Sequence, residues 1–385
     1  MNQTFFATCP RGLEGLLVKE IQSSGAKNIK QTDGGVSFLG DVAVCYHVNL
    51  HSRIATRVLW QVTRGQYANE EDLFQAAYKV NWPNWFDVKY DFMVKVTGVK
   101  CPLKSLEFVT LKIKDAICDK FRLAVGSRPY IDTKKPAVRI HAYLTEQDYI
   151  LYIDTSGDAL YQRGNRKASI EAPLRENLAA GVIQLTGWQV GEPLLDPMCG
   201  SGTFLLEAVM MALNIAPGLN RGFGFERLKN FESDTWKKVK NAALKNVKPV
   251  TFQKIYGSDI DLRAVRIAKR NLEEAGFLEA VQLSQFDVTE VPPAADHGVL
   301  VANPPYGVRI GEDEDLTALY PKLGEALKRK FAGWNTYFLT NDLRMPKLMR
   351  LSTSKKTPLF NGPLECRLFE IKMVAGSNRK PQKEL

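Results

Sequence analysis

The sequence predicts an α/β protein in which an α+β N-terminal third precedes a domain built on a mostly parallel sheet. Three observations carry this expectation. From Ser169 to about residue 374, apolar strand-like runs alternate with amphipathic helical stretches, the order that a parallel sheet with crossover helices requires. At Leu194–Glu207 an apolar run enters a turn containing Gly200 and Gly202 and leaves as a helix, as a ligand-binding βα turn does. Before residue 161, short strands and helices interleave without that regularity, and no repeat of fixed period occurs.

Taken in order, Thr4–Ala7 reads as a strand, and Leu13, Leu16, Leu17 and Ile21 give a helical stripe that Gly25 stops. Asp33-Gly34-Gly35 marks a turn, Val36–Leu39 a strand, Asp41 the cap of a helix reaching about Leu50, and Arg57–Thr63 another strand. This is a βαββαβ-like unit. In a second small unit, Asn69-Glu70-Glu71-Asp72 opens a helix with the acidic first turn that the helix dipole favours. Phe92–Val96 is a strand, Leu106–Ala124 a helix ending near Gly126, and Val138–Tyr143 and Tyr149–Ile153 are strands around a polar turn. A basic joint, Tyr161-Gln162-Arg163-Gly164-Asn165-Arg166-Lys167, follows; it reads equally as a plain linker or as an RNA-facing hinge in which Arg163, Arg166 and Lys167 meet phosphate. Pro173 suits a first helical turn and Gly187 ends that helix. Near the end Asn361-Gly362 suits a tight hairpin turn, and Pro363 places the neighbouring strand at an edge or a strand start. The boundaries expected are 1–65, 66–160 and 161–376, with a loose tail at 377–385.

Composition narrows the class. In 385 residues, 45% hydrophobic and 24% charged side chains are those of a globular chain, which excludes disorder, collagen and coiled coil as the main architecture. No apolar run approaches the roughly 20 residues that span a bilayer, and the start lacks the pattern of a secretory signal. Six cysteines without a CxxC pair give neither a disulfide framework nor a zinc site, so no metal and reduced thiols in a cytoplasm are expected. The net charge of +10 suits either a polyanion partner, nucleic acid first, or a merely well-solvated basic surface.

Four constellations carry chemistry. In Asp196-Pro197-Met198-Cys199-Gly200-Ser201-Gly202-Thr203, the glycines let the backbone approach a ligand, and the helix start beyond favours an anionic group. The third glycine of the dinucleotide fingerprint is missing. In Ser258-Asp259-Ile260-Asp261, an acid at a strand end suits a ribose diol, because a carboxylate accepts two hydroxyl hydrogen bonds; this role falls to Asp259, and Asp261 is the expected helix cap. Asp287, after a third strand, suits either an adenine amino group or a cap. Finally Asn303-Pro304-Pro305-Tyr306 ends a fourth strand. The prolines hold the backbone open, Asn303 Oδ1 and the Pro304 carbonyl are two acceptors matching the two N–H donors of a nucleobase amine, and Tyr306 can stack on the base.

These motifs resemble the class I S-adenosylmethionine-dependent methyltransferases that act on exocyclic amines. The segment Ala172–Ala180, the Tyr-Gln-Arg-Gly joint and the two-part N-terminal third make the whole chain similar to the THUMP-domain RNA guanine-N2 methyltransferases, most closely the RlmL type acting on large-subunit ribosomal RNA. The resemblance implies a Rossmann-like domain with a seven-stranded sheet, preceded by a ferredoxin-like domain (1–65) and a THUMP RNA-binding domain (66–160). It implies S-adenosylmethionine held by Asp196, Pro197, Cys199, Gly200, Gly202, Thr203, Asp259, Ile260, Asp287 and Asn177, with Asn303, Pro304, Pro305 and Tyr306 placing the guanine amine. The family usually has threonine where Asn177 stands here. The second, N7-guanine methyltransferase domain that some relatives carry is expected to be absent. A cytoplasmic monomer acting on naked or partly assembled rRNA is expected. A tRNA guanine-N2 methyltransferase, a DNA adenine-N6 or cytosine-N4 methyltransferase, and a catalytically silent RNA-binding assembly factor are the alternatives.

Overall fold

The structure, a computed structural model, describes residues 2–163, 174–305 and 312–374. The chain divides into two compact units. The first comprises Met1–Cys9, Leu17–Gln162 and Pro217–Lys245, the second Pro10–Leu16, Arg163–Ala216 and Asn246–Leu385.

The N-terminal elements run β1 (Gln3–Thr8), α1 (Glu14–Ser23), β2 (Lys27–Thr32), β3 (Gly35–Gly40), α2 (Val42–His51) and β4 (Arg57–Gln66), the expected βαββαβ order. Then follow α3 (Glu70–Lys79), β5 (Phe92–Gly98), α4 (Leu106–Val125), β6 (Val138–Leu144) and β7 (Asp148–Asp154). Local chemistry sets the helix ends. Asp41 caps α2 by accepting from the Val44 amide at 2.9 Å. Asn69 and Asp72 form a reciprocal capping box on α3, and Gly126 closes α4 at φ +75°. The sequence reads as two small domains here, but all seven strands belong to one sheet of order β2-β3-β1-β4-β7-β6-β5. The seam is the antiparallel pairing of β4 with β7, from Leu59 opposite Asp154 to Gln66 opposite Asp148. Buried Asn49 and Asp154 tie this seam further. Asn49 donates to Thr155 Oγ1 at 2.9 Å and accepts from Ser156 Oγ at 2.7 Å, and Asp154 pairs with Arg57.

The later elements are α5 (Glu176–Thr186), β8 (Leu194–Asp196), α6 (Thr203–Ala212), α7 (Ser233–Lys245), β9 (Ile255–Asp259), α8 (Leu262–Glu274), β10 (Val281–Gln285), β11 (Gly298–Ala302), α9 (Glu312–Lys330), β12 (Trp334–Thr340), α10 (Met345–Leu348), β13 (Lys355–Asn361) and β14 (Leu364–Lys372). Their sheet has the order β10-β9-β8-β11-β12-β14-β13, parallel except for β14, which runs against both neighbours. β8 and β11 are buried along their whole length, as strands covered on both faces are. The closing hairpin turns at Gly362-Pro363, one residue later than the Asn361-Gly362 turn expected, because Asn361 already pairs with Leu364. Gly362 supplies the positive φ, +64°, and β13 is the edge strand.

One stretch leaves the regular α/β order. Pro217–Lys245 folds with the first unit, although it lies between α6 and β9. Its aromatic side chains Phe223, Phe225 and Trp236 are buried, and Tyr46 of α2 lies 4.3 Å from Phe225 and 6.0 Å from Trp236, ring centre to ring centre. Tyr46 Oη also accepts from the Glu232 amide at 2.9 Å.

Candidate active site

In a parallel sheet every strand leaves its following loop on the same edge, and ligands bind where the strand order reverses. Here the reversal lies between β8 and β11, and the four motifs follow β8, β9, β10 and β11. The register aligns their ends. Asp196 stands beside Gly257, Gln285 beside Asp259, and Leu300 beside Leu195. Residues 196, 259, 287 and 303 are scattered along the chain, and the fold gathers them at one edge.

The Gly-containing turn is held on both sides. Cys199 donates its amide to the Ser258 carbonyl at 2.9 Å, and its own carbonyl accepts from Gly202 N at 2.8 Å. Gly200 (φ +54°) and Gly202 (φ +82°) occupy the left-handed region, which a side chain would strain. A Cβ on Gly202 would press on Ala268 Cβ of α8 at 3.2 Å, whereas one on Gly200 would meet nothing within 4 Å. Gly202 therefore serves packing, and Gly200 faces open space that a ligand can enter. Asp259 binds the turn directly. Its Oδ2 accepts from Gly200 N at 2.9 Å and its Oδ1 from Asp261 N at 3.0 Å, so the carboxylate is aimed before any ligand arrives. Asp261 caps α8 through Arg263 N at 2.8 Å, as its position predicts.

Asp196 and Cys199 are buried at the floor of this turn. Burial pushes the Asp196 carboxyl well above the usual carboxylate range, and the neighbouring Asp259 charge adds to the effect. The Cys199 thiol is pushed up in the same way, by burial and then by Asp196, so it is unreactive packing. Pro197 and Thr203 are buried beside them, and Asn177 is fully buried in the first turn of α5. Ile260, by contrast, is 65% exposed and Phe286 39% exposed, and the two are neighbours because Phe286 N donates to the Asp259 carbonyl at 3.2 Å. Two apolar side chains held open beside a ribose-type carboxylate suit a flat heterocycle. Asp287 accepts from Thr289 N and Oγ1, both at 2.8 Å through Oδ1, within the turn after β10.

At the end of β11, Asn303 is half-buried, Pro304 buried and Pro305 exposed. Tyr306 lies outside the described residues, as do Arg166 and Lys167. Arg163 is a correction. Its side chain is 3% exposed and ion-paired at 3.1 Å with Glu207 of α6, itself 1% exposed, so it braces the second unit and is not a surface cation. A charged residue in a basic joint gives no hint of a buried acid more than forty residues later. Sequence reading also misses Asn271. Fully buried on α8, it donates to the Ser201 carbonyl at 3.0 Å and clamps the turn from behind. The available signal was an amide on the apolar stripe formed by Ala264, Ala268 and Leu272.

Residues 163–370 match the RMKL-like methyltransferase domain, residues 4–59 the RlmL ferredoxin-like domain, and residues 67–154 the THUMP domain. The ribosomal RNA large subunit methyltransferase K/L of Shewanella baltica (strain OS185) is 39% identical over 382 residues, which cover 98% of this chain; the chain spans about half, 54%, of that relative. Among solved structures, SMU.472, named as a methyltransferase and crystallised with SAH, is 31% identical with a TM-score of 0.88, covering 98% of this chain and 99% of that one. A chain from Listeria monocytogenes str. 4b F2365, named a predicted N6-adenine-specific DNA methylase, is 30% identical with a TM-score of 0.86, covering 97% of each. No helix among the described residues is long and apolar enough to cross a membrane.

Proposed function

This chain belongs to the RMKL-like methyltransferase family, and we propose that it methylates the exocyclic N2 of a guanine in large-subunit ribosomal RNA, with S-adenosylmethionine as donor. The observation that carries the reading is the convergence of four motif-bearing strand ends on the edge beside the β8–β11 reversal. The name of the Shewanella relative, matched along 98% of this chain, and the THUMP match support the choice of RNA.

The residues present fit the donor. Gly200 opens the backbone beside the turn, Asp259 is aimed for ribose hydroxyls, and Ile260 with Phe286 flanks a site for the adenine. Asp196, Pro197, Cys199, Thr203, Asp287 and Asn177 complete the cofactor group, most of them as its buried support. When bound, S-adenosylmethionine supplies an electrophilic methyl on a sulfonium. The guanine N2 is a poor nucleophile, because its lone pair is delocalised into the ring. Asn303 Oδ1 and the Pro304 carbonyl accept its two N–H groups, orient it, and favour a tetrahedral nitrogen as the N–C bond forms and the S–C bond breaks. Positioning of this kind contributes about 7 kcal/mol or more. Pro305 and Tyr306 complete the proposed guanine site, and the surplus proton leaves to water.

The test is the product. The protein is incubated with labelled S-adenosylmethionine and, separately, protein-free large-subunit rRNA, bulk tRNA and DNA, and each digest is resolved into nucleosides. The expected label is N2-methylguanosine from rRNA, with naked or partly assembled rRNA ahead of mature ribosomes because the target must leave its stack. Label in N2-methylguanosine from tRNA alone overturns the substrate. Label in N6-methyladenine from DNA overturns both substrate and base.

A further inference from the structure

A base that reacts outside its stack leaves a gap, and proteins that unstack nucleic acid commonly fill such gaps with an apolar side chain. Among the described residues of the catalytic unit, the two most exposed large apolar side chains are Ile260, 65% exposed, and Leu343, 63% exposed. Ile260 stands after β9 on the cofactor side. Leu343 stands after β12, on the other side of β11, and nothing in the cofactor site accounts for it. A lone exposed leucine is ordinary; the position and rigidity of this one are not.

β11 and β12 are parallel neighbours, with Ala302 opposite Phe338, so the loops after them leave from the same edge, on strands about 4.8 Å apart. Asn303 begins one loop and residue 341 the other. The second loop is tightly braced. The Asp342 amide donates to Thr340 Oγ1 at 3.0 Å, and Asp342 Oδ1 accepts from Arg344 N at 2.9 Å. The Arg344 guanidinium closes on the same carboxylate through Nε and Nη2, both at 2.9 Å. Just beyond, Met345 and Met349 are buried in the core with Phe338 and Tyr320. The segment thus turns Met345, Pro346 and Met349 inward and Leu343, Lys347 and Arg350 outward. An exposed apolar tip on a stiff loop, followed by two outward cations three residues apart, matches the chemistry of a nucleic-acid strand: a stacking gap bordered by phosphates.

We propose that Leu343 enters the RNA stack beside the target guanine and takes the place of the displaced base, while Lys347 and Arg350 hold the adjoining phosphates and the Asp342–Arg344 pair keeps the tip extended. Leu343 is a positioning residue in this account, since it touches neither donor nor acceptor atom. The inference rests on the proposed RNA reaction.

The experiment uses the full chain and first maps the methylated position in protein-free large-subunit rRNA. Two short RNA duplexes containing that position are then compared, one with the target paired and one with it opposite an abasic site. On the paired duplex Leu343→Ala should lose about tenfold or more in kcat/KM, whereas Leu343→Met, which keeps an apolar tip, should stay near wild type. The abasic duplex should restore Leu343→Ala to within about threefold of wild type, because the base no longer has to be unpaired. S-adenosylmethionine affinity, read by calorimetry, should not change, and circular dichroism melting reports the fold. Unchanged kcat/KM on the paired duplex, or an equal loss on both duplexes, overturns the wedge. Lys347→Gln/Arg350→Gln should raise the RNA KM with little change in kcat and lower the salt dependence of binding; an unaltered salt dependence removes the phosphate contacts. Absence of methylation by the wild-type chain on every RNA would instead defeat the underlying reaction, a result distinct from any of these.

Discussion

The two sheets have seven strands each and opposite logic. In the first unit only β5 and β6 pair in parallel; every other neighbouring pair is antiparallel. Connections therefore leave alternately from both edges, and no edge collects the loops. Its strands alternate in burial, as in β6, where Val138, Ile140, Ala142 and Leu144 are buried and Tyr143 is exposed. In the second unit one antiparallel strand completes an otherwise parallel sheet, and four consecutive motif loops share one edge. Antiparallel pairing makes a half-covered surface, and parallel pairing makes a site. The comparison explains why the chemistry-bearing residues lie after Arg163 and why the region before it suits recognition.

Each prediction tests that separation. The largest effect belongs to the aromatic plug of the first unit. Trp236→Ala removes a buried indole packed on Tyr46, Phe223 and Phe225 and should cost about 3–5 kcal/mol of that unit's stability in denaturant unfolding. S-adenosylmethionine affinity measured below the transition should not move. A parallel loss of cofactor binding would break the division into separable units.

Asn303→Ala should lower kcat by about 100-fold or more while calorimetry finds cofactor affinity nearly intact, because the lost acceptor acts on the base. A variant keeping most of its kcat removes the two-acceptor mechanism. Asp259→Ala should weaken S-adenosylmethionine binding by about 1.5–3 kcal/mol, since both the ribose partner and the Gly200 amide's acceptor go. RNA binding at the first unit should be untouched, which sharpens the contrast between the sheets.

The smallest effect is a pH dependence confined to the first unit. His47 and His51 lie stacked 4.3 Å apart on α2. Burial, then the charges of His47 and Arg53, lowers His51 from the ordinary imidazole value to about 4. Between those values the unfolded chain binds the proton that the folded one refuses, so stability is full above about pH 6.5 and falls as pH drops toward 4. His51→Gln should reduce the fall in melting temperature across that window, leaving the part contributed by His47, which burial lowers as well. An unchanged slope would show that another group sets it.

Much of this molecule was legible in the sequence because its signals are local. The strand–turn–helix of 194–207, the caps at Asp41 and Asp261, the acidic helix start at Asn69–Asp72, and the Asn303-Pro304 strand end each depend on residues a few positions apart. Chemistry could be assigned to them one motif at a time. The tertiary structure alone decided what depends on distant partners. Pairing β4 with β7 joins the ferredoxin-like and THUMP parts in one sheet, linking residues some ninety positions apart, where no periodicity in either strand names the other. Pro217–Lys245 lies inside the expected 161–376 domain, yet its aromatic side chains pack on α2 of the first unit, a partner that no local pattern specifies. Arg163 looked like an RNA contact because a basic joint shows its charge and hides its neighbour. The buried Glu207 carboxylate, 3.1 Å away, claims that charge instead, because a cation at hydrogen-bond distance stabilises an ionised acid on an apolar helix face.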